Sequence, residues 1–506
     1  MHIIHISSEF SPIVRVGGLG DVIHGLAQEQ AAMGNFVSVV LPKYDVSKFS
    51  AIKDLQIDTL DLWSFDGHTS YHNTIWSTCI GKIKVYLIEM HHPQYYFNRG
   101  CVYGSRDDVE RFLYFCRTAS EFLHIKKIHA DIIHIHDWLT SPVAPIMKCI
   151  YQNLGFQYGA IALTIHNIKY QGQCSIHNFT RIGLKGEDFR VEDRMQDPVD
   201  PNILNLLKGG ITYSDIITTV SPTYAKEIMK PEFGFHLHHT LFHLQHKVKG
   251  ILNGIDTETT WNPEHDAHLS CPFSIAVRST KTVLEKKREN RVALYKQLNL
   301  QNSCAPLIIC ISRLVPQKNP HLIEKTIHYT MQQNCCFILL GKVPHAYPEI
   351  HKTFTKIFQQ YKSTGNIYIK LDYDEALSHQ LFASASAIFI PSIFEPCGLT
   401  AMISAHYGTL PIVHGTGGLQ DTVIDADNTS VPEPQRNGFC FSSLDEEEVQ
   451  KTIQRAICCI KQNPRLRLSL LKSGMQRKID WQGPAKQYQN VYEQAIASKS
   501  PNKKVI

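Results

Sequence analysis

A chain of 506 residues is too long for one compact core and points to two domains of ordinary size. With 43% apolar and 19% charged residues it is globular rather than disordered. A net charge of +5 without a long basic run argues against nucleic acid as a partner, while leaving room for a mildly basic phosphate-binding cleft.

The N-terminus, "MHIIHISSEF", lacks the basic region, long apolar segment and cleavage site of a signal peptide. No apolar run approaches the ~20 residues that span a bilayer. The 14 cysteines are scattered without a C-x-x-C, so neither zinc spacing nor a disulfide framework is legible. A reducing, cytoplasmic setting away from membranes is expected.

In chain order, "MHIIHISSEF" predicts a short buried strand and Leu19 to Met33 a helix. "FVSVVLP" and "KIKVYLIEM" predict two further strands, then a polar loop with Pro93, Gly100 and Gly104, and a helix over about 107–125. "ADIIHIHDW" and "YGAIALTIHN" are apolar runs ending in polar residues, and in "DIITTVSPTYAKEI" Pro222 opens a helix. The stretch 251–290 is the best linker, with the boundary near Asn253–Pro263. Beyond it, "PLIICISR", "CCFILLG", "NIYIKLDY", "SAIFIPS" and "LPIVHG" repeat the pattern. Short strands alternating with helices predict βαβ units and parallel sheets, so two Rossmann-like halves are expected. Ligands then lie at the carboxyl ends of strands, here marked by Glu9, Asp137, His166, Asn167, Ser221, Arg313, Gly341, Tyr373, Ser392 and Glu395.

Several of these residues have a chemical reading and a plainer one. Gly17 and Gly18 lie between a strand and a helix, where backbone amides can meet a phosphate, or where the chain simply turns. The later "TGGLQDTV", with Gly417 and Gly418, echoes "RVGGLGDV" under the same two readings. Arg313 and Lys318 in "SRLVPQK" can stabilise a leaving diphosphate, or be a solvated basic pair. Glu395 precedes a helix start in which Gly398, Leu399 and Thr400 offer amides and a hydroxyl; it can equally be an ordinary first-turn acid. His134 and His136 share a strand face, and His236, His239, His243 and His246 have helical spacing, as metal ligands would. Among 27 histidines such clusters arise easily, so no metal is expected. Asp425 and Asp427 are read as a surface turn.

Taken together, "SSEFSPIVRVGGLGDV", "HIHDW", "LTIHNIKYQG", "VSPTYAKEI", "ILNGIDTETTWNP", "ISRLVPQK", "IFEPCGLT" and "YGTLPIVHGTGGLQDTV" resemble, in order, the motifs of bacterial glycogen synthases and plant starch synthases. The ending "DWQGPAKQYQNVYEQ" resembles their C-terminal helix. The resemblance implies an α/β GT-B fold, two Rossmann-like domains with parallel sheets facing a central cleft. Domains 1–255 and 256–480 would be followed by a segment 481–506 returning to the first. It also implies retaining transfer of glucose from ADP-glucose or UDP-glucose to the non-reducing end of an α-1,4-glucan such as glycogen, without a cofactor.

By the same resemblance the catalytic set is Glu395, Arg313, Lys318, His166 and Asp137. Glu395 would support positive charge at the anomeric carbon, and His166 and Asn167 would contact the glucose. Arg15, Gly17 and Gly18 would meet the donor phosphates, with Gly398, Leu399 and Thr400 on the donor side. Asn253 would touch the donor sugar, Tyr373 would stack on the base, and Glu9 and Asp137 would lie near the acceptor hydroxyl. Retention without an obvious enzymic nucleophile is usually explained by a front-face mechanism in which the leaving phosphate takes the acceptor proton; the sequence leaves a transient covalent intermediate open.

The chain departs from the family pattern at Arg15 (usually lysine), Leu139 (often histidine), Asn319 and Val343 (usually glycine), Ala401 (usually glutamine) and His414 (usually arginine). "FHLHHTLFHLQH" replaces a glycine-rich loop. These departures motivate an alternative, a catalytically impaired GT-B protein that binds glucan or regulates.

Overall fold

A computed structural model of the chain describes residues 1–48, 52–274, 280–301 and 305–499. Residues 275–279 of the expected linker and 500–506 of the expected C-terminal segment lie outside these. The chain forms two compact units, Met1–Gly254 together with the chain from Trp481 onward, and Ile255–Asp480.

The first unit contains β1 (His2–Ile6), β2 (Phe36–Pro42), β3 (Gln56–Asp66), β4 (Thr69–Ile80), β5 (Ile83–Met90), β6 (Ile132–His136), β7 (Ala160–Ile165), the short pair β8 (Gln173–Cys174) and β9 (Leu204–Asn205), β10 (Ile216–Thr219) and β11 (Val248–Gly250). Nine of them form one sheet in the order β11-β10-β7-β6-β1-β2-β5-β4-β3. All pair in parallel except along β5-β4-β3. Numbered by parallel strand, β5-β2-β1-β6-β7-β10 is the doubly wound order 3-2-1-4-5-6. The central strands β1, β6 and β7 are buried on both faces, which is why they read as mostly apolar runs.

The helix α1 (Gly18–Ala32) follows β1 and buries Val22, Ile23, Leu26, Ala27, Gln30 and Ala31, a helical spacing. A second helix, α2 (Asp108–Ile125), precedes β6. Ser221 caps the helix Pro222–Glu227 by accepting the Tyr224 amide at 3.2 Å. The final helix, from Gln482 to Lys499, packs on β7 and α1 through a stripe including Tyr488, Val491, Tyr492 and Ala495.

The second unit carries β12 (Leu307–Ile311), β13 (Cys336–Leu340), β14 (Ile367–Lys370), β15 (Ala387–Ile390), β16 (Leu410–His414) and β17 (Phe439–Phe441). Its all-parallel sheet runs β14-β13-β12-β15-β16-β17, again 3-2-1-4-5-6. In each unit the strand order reverses beside the first strand. β1 and β6 flank the reversal in one unit, β12 and β15 in the other.

The antiparallel β3–β4 hairpin is an addition at the edge of the doubly wound order. The two-residue turn is Gly67-His68, with glycine at the position that takes a positive φ. Asp66 pairs with Thr69 across the turn, and Gly67 takes a φ of 69°. Arg181 holds both Asp66 oxygens, at 2.8 and 2.7 Å.

Candidate active site

At the first unit's reversal, Glu9 follows β1 and Asp137 follows β6. Glu9 is buried rather than presented to solvent. One of its oxygens accepts the amides of Val16 (2.6 Å) and Gly17 (3.1 Å), and the other accepts the Tyr103 hydroxyl (2.6 Å). A carboxylate thus already occupies the anion-favouring N-terminus of α1, and the first glycine amide is engaged. Arg15 pairs with Asp21 at 3.0 Å. Tyr103 was missed because nothing beside it in the loop holding Pro93, Gly100 and Gly104 marks a site residue.

Asp137 has a φ of 53°, a left-handed conformation that aspartate tolerates better than most residues. Its Oδ1 accepts the amides of His166 (2.7 Å) and Asn167 (3.2 Å), so the ends of β6 and β7 meet at one carboxylate. Burial pushes this carboxyl up to about 7, against the pull of the two amides, and the Glu9 carboxylate adds to the rise. The Asn167 side chain accepts the Lys169 amide at 3.1 Å. Asn253 is buried, and its Oδ1 has no hydrogen-bond partner among the described residues. A buried, unpaired amide oxygen suits a ligand donor. Leu139 is buried, so an apolar packing group replaces the polar side chain of the family pattern.

In the second unit, Arg313 is exposed just beyond β12. Lys318 ends the turn 316–318 and forms an ion pair with Glu395, whose Oε2 also accepts the Ser392 hydroxyl at 2.7 Å. The pair is mostly buried, with side chains 18% and 14% exposed. Gln317 ties the two loops, donating to the Phe394 carbonyl (3.1 Å) while its own carbonyl accepts the Ile393 amide (2.9 Å). Asn319 follows in the left-handed region, φ 52°, and caps α3 (Pro320–Gln332) by accepting the Leu322 amide at 3.2 Å. A residue usually glycine is therefore replaced by one that tolerates the same backbone and adds a cap.

Gly398 (φ 82°) begins α4 (Leu399–His406), placing Leu399 and Thr400 in its first turn. The second glycine loop packs directly on this one. The Gly418 amide donates to the Glu395 carbonyl at 2.8 Å. A Cβ on Gly418 would lie 1.9 Å from the Cys397 carbonyl oxygen, whereas one on Gly17 would meet nothing within 4 Å. The two Gly-Gly sequences thus have different causes. His414 accepts no lesser role than a strut: its ring bonds the Ser392 carbonyl at 2.8 Å and stacks on Phe441. Tyr373 is exposed beyond β14.

Asp425 and Asp427 are both held by Arg455, at 2.5 and 2.6 Å, as a structural turn. Among the described residues, one group of three potential metal ligands occurs, His5, His134 and His136. All six of its ring nitrogens already have hydrogen-bond partners.

Two Rossmann-like units of this kind constitute the GT-B class of glycosyltransferase fold. Residues 2–243 match the family model of the starch synthase catalytic domain, and residues 294–468 that of glycosyl transferases group 1. The glycogen synthase of Protochlamydia amoebophila is 44% identical over 504 residues, spanning 99% of this chain and 100% of that protein. Glycogen synthase 1 of Nitrosococcus oceani is 38% identical, over 97% of this chain and 99% of its own length. The solved catalytic domain of starch synthase IV from Arabidopsis thaliana, bound to ADP and acarbose, has a TM-score of 0.92 at 41% identity, covering 98% of this chain and 99% of that one. The chain belongs to the glycogen and starch synthase family of retaining GT-B glucosyltransferases.

Proposed function

We propose that this member of the family uses ADP-glucose as donor and extends the non-reducing end of an α-1,4-glucan. The observation that carries the reading is the Lys318–Glu395–Ser392 cluster beside the N-terminus of α4, at the strand reversal of the second unit. The solved relative bound to ADP and acarbose supports the choice of donor and of glucan acceptor.

In this reading Arg313 and Lys318 stabilise the charge that develops on the leaving diphosphate, together with the amides of Gly398, Leu399 and Thr400. Lys318 and Glu395 orient each other, which leaves Glu395 fixed beside the anomeric carbon as positive charge grows there. Tyr373 stacks on the base. In the first unit, Arg15 and Gly18 meet the donor phosphates, and Gly17 and Glu9 shape that loop. His166, Asn167 and Asn253 hold the glucose. Asp137 lies by the acceptor hydroxyl, whose proton passes to the leaving phosphate oxygen as the new glycosidic bond forms on the same face. The departures at Asn319, His414 and Leu139 are each structurally accommodated, which favours an active enzyme over an impaired one. The described cysteines are free thiols, and no described helix is long and apolar enough to cross a membrane; both accord with a cytoplasmic location.

The test is nucleoside diphosphate release from ADP-glucose or UDP-glucose in the presence of glycogen. ADP-glucose is expected to give at least a tenfold higher kcat/KM. Faster turnover of UDP-glucose refutes the donor assignment, and no release from either refutes the activity. Lys318→Ala and Glu395→Ala should each lower kcat about 100-fold or more, with thermal unfolding retained.

A further inference from the structure

His166 stands at the end of a buried chain of hydrogen bonds that reaches the C-terminal helix. Its Nε2 is 3.1 Å from His136 Nδ1, His136 Nε2 is 3.1 Å from His5 Nδ1, and His5 Nε2 is 2.8 Å from Gln30 Oε1. Gln30 Nε2 donates in turn to the Tyr492 hydroxyl at 3.1 Å. Beyond it, Tyr492 bonds His134 Nδ1 (2.8 Å), His134 Nε2 bonds Thr164 (2.6 Å), and Thr164 bonds Thr218 (2.6 Å). Thr218 donates to the Leu163 carbonyl. Gln30, His5, His134, His136 and Tyr492 are all buried.

Each neutral imidazole has one donor and one acceptor nitrogen, so one link dictates the next. Gln30 offers its oxygen to His5, which must therefore carry its proton on Nε2 and accept at Nδ1. His136 must then donate from Nε2 and accept at Nδ1, and His166 must donate from Nε2. The other arm is consistent: Tyr492 accepts from Gln30 and donates to His134, and each hydroxyl passes its proton onward to Leu163. Reversal requires the Gln30 amide to turn over and every link to switch together. Burial holds the imidazoles neutral, lowering His5 to about 4 and His166 to about 3.

We propose that Gln30, His5 and His136 are positioning residues that fix the tautomer of His166, so that its Nδ1 faces the glucosyl site as a hydrogen-bond acceptor. The polarity is anchored from α1 and the C-terminal helix rather than by the substrate. The proposal rests on the assignment of His166 to the glucose site, but its principal readout needs no substrate.

The experiment is two-bond 1H–15N correlation of the full chain labelled at histidine nitrogens, with signals assigned from single histidine substitutions. His5, His134, His136 and His166 should all appear as neutral Nε2–H tautomers at pH 7. Gln30→Met is close in volume and removes both polar partners. It should bring His136 and His166 into tautomer exchange and lower kcat/KM about tenfold. Gln30→Glu retains an acceptor facing His5 and should restore both the tautomer and most of the turnover. An Nδ1–H form of His136 or His166 in the wild type overturns the proposal. So does a His166 tautomer unaffected by Gln30→Met, or displacement of these signals by zinc, which would make His5, His134 and His136 a metal site. An intact tautomer pattern in a protein that transfers no glucose upholds the chain and counts against the functional reading alone.

Discussion

Replacing Gly418 by alanine separates a glycine required by packing from one that merely permits a turn. The new Cβ would lie 1.9 Å from the Cys397 carbonyl oxygen, 2.2 Å from its carbon and 2.5 Å from its Cα. These are backbone atoms, so no rotamer can relieve the overlap. Favourable carbon contacts begin near ~3.5 Å, so the loops 395–398 and 416–418 must part by roughly 1–1.5 Å. That separation would break the 2.8 Å bond from the Gly418 amide to the Glu395 carbonyl and displace Glu395 from Lys318. Overpacking of this kind costs about 1–3 kcal/mol, or roughly 2–12 °C in the melting of a unit of this size. A misplacement of about 1 Å in a reacting group lowers turnover on the order of 100-fold, near 2.7 kcal/mol in the barrier. Diphosphate release and thermal melting on the same preparation measure both effects. Gly17→Ala is the control for stability, since nothing lies within 4 Å and its φ is −142°; its stability should stay within about 1 kcal/mol of wild type. Gly418→Ala with turnover within threefold of wild type and an unchanged melting temperature would refute the packing argument.

Asp137 provides a pH test whose sign follows from its raised carboxyl. Its folded value near 7 exceeds the ordinary 3.8, so between those values the folded state holds more protons than the unfolded one. Its stabilising effect is complete below about pH 4 and lost as the pH rises through 7. Asp137→Asn keeps an oxygen for the two amides and removes the titration. Its melting temperature relative to wild type should therefore rise between pH 5 and pH 8, and a constant difference would refute the assignment. At Asn319, alanine loses the cap while keeping a strained left-handed backbone, so urea unfolding should show a loss of about 1–2 kcal/mol. Glycine loses the cap but relaxes the backbone and should lie within about 0.5 kcal/mol of wild type; equal losses would refute this account.

The repeated α/β pattern, the strand ends and the ordered motifs were legible because they depend on neighbours in the chain. Short, mostly apolar runs of four to six residues followed by polar ones predict buried parallel strands, and the observed β1, β6, β7, β12, β13 and β15 carry that signature. The β3–β4 hairpin left only a glycine in the sequence, Gly67 at its turn, between strands whose apolar residues do not alternate strictly. The echo of "GGL" was visible in the sequence, but its meaning was not. Only packing shows that Gly418 is pressed on the Cys397 backbone while Gly17 is open.

Partnerships across the fold lay beyond local pattern. Glu9 engages Tyr103 from 94 positions away, and Lys318 finds Glu395 across 77. His134 meets Tyr492 across 358. The sequence by itself determined that the chain makes two doubly wound halves with polar strand ends, because short-range periodicity sets which faces are buried. The tertiary structure alone decided which of those polar groups share a proton, since a hydrogen bond needs an approach near 3 Å that sequence spacing does not encode.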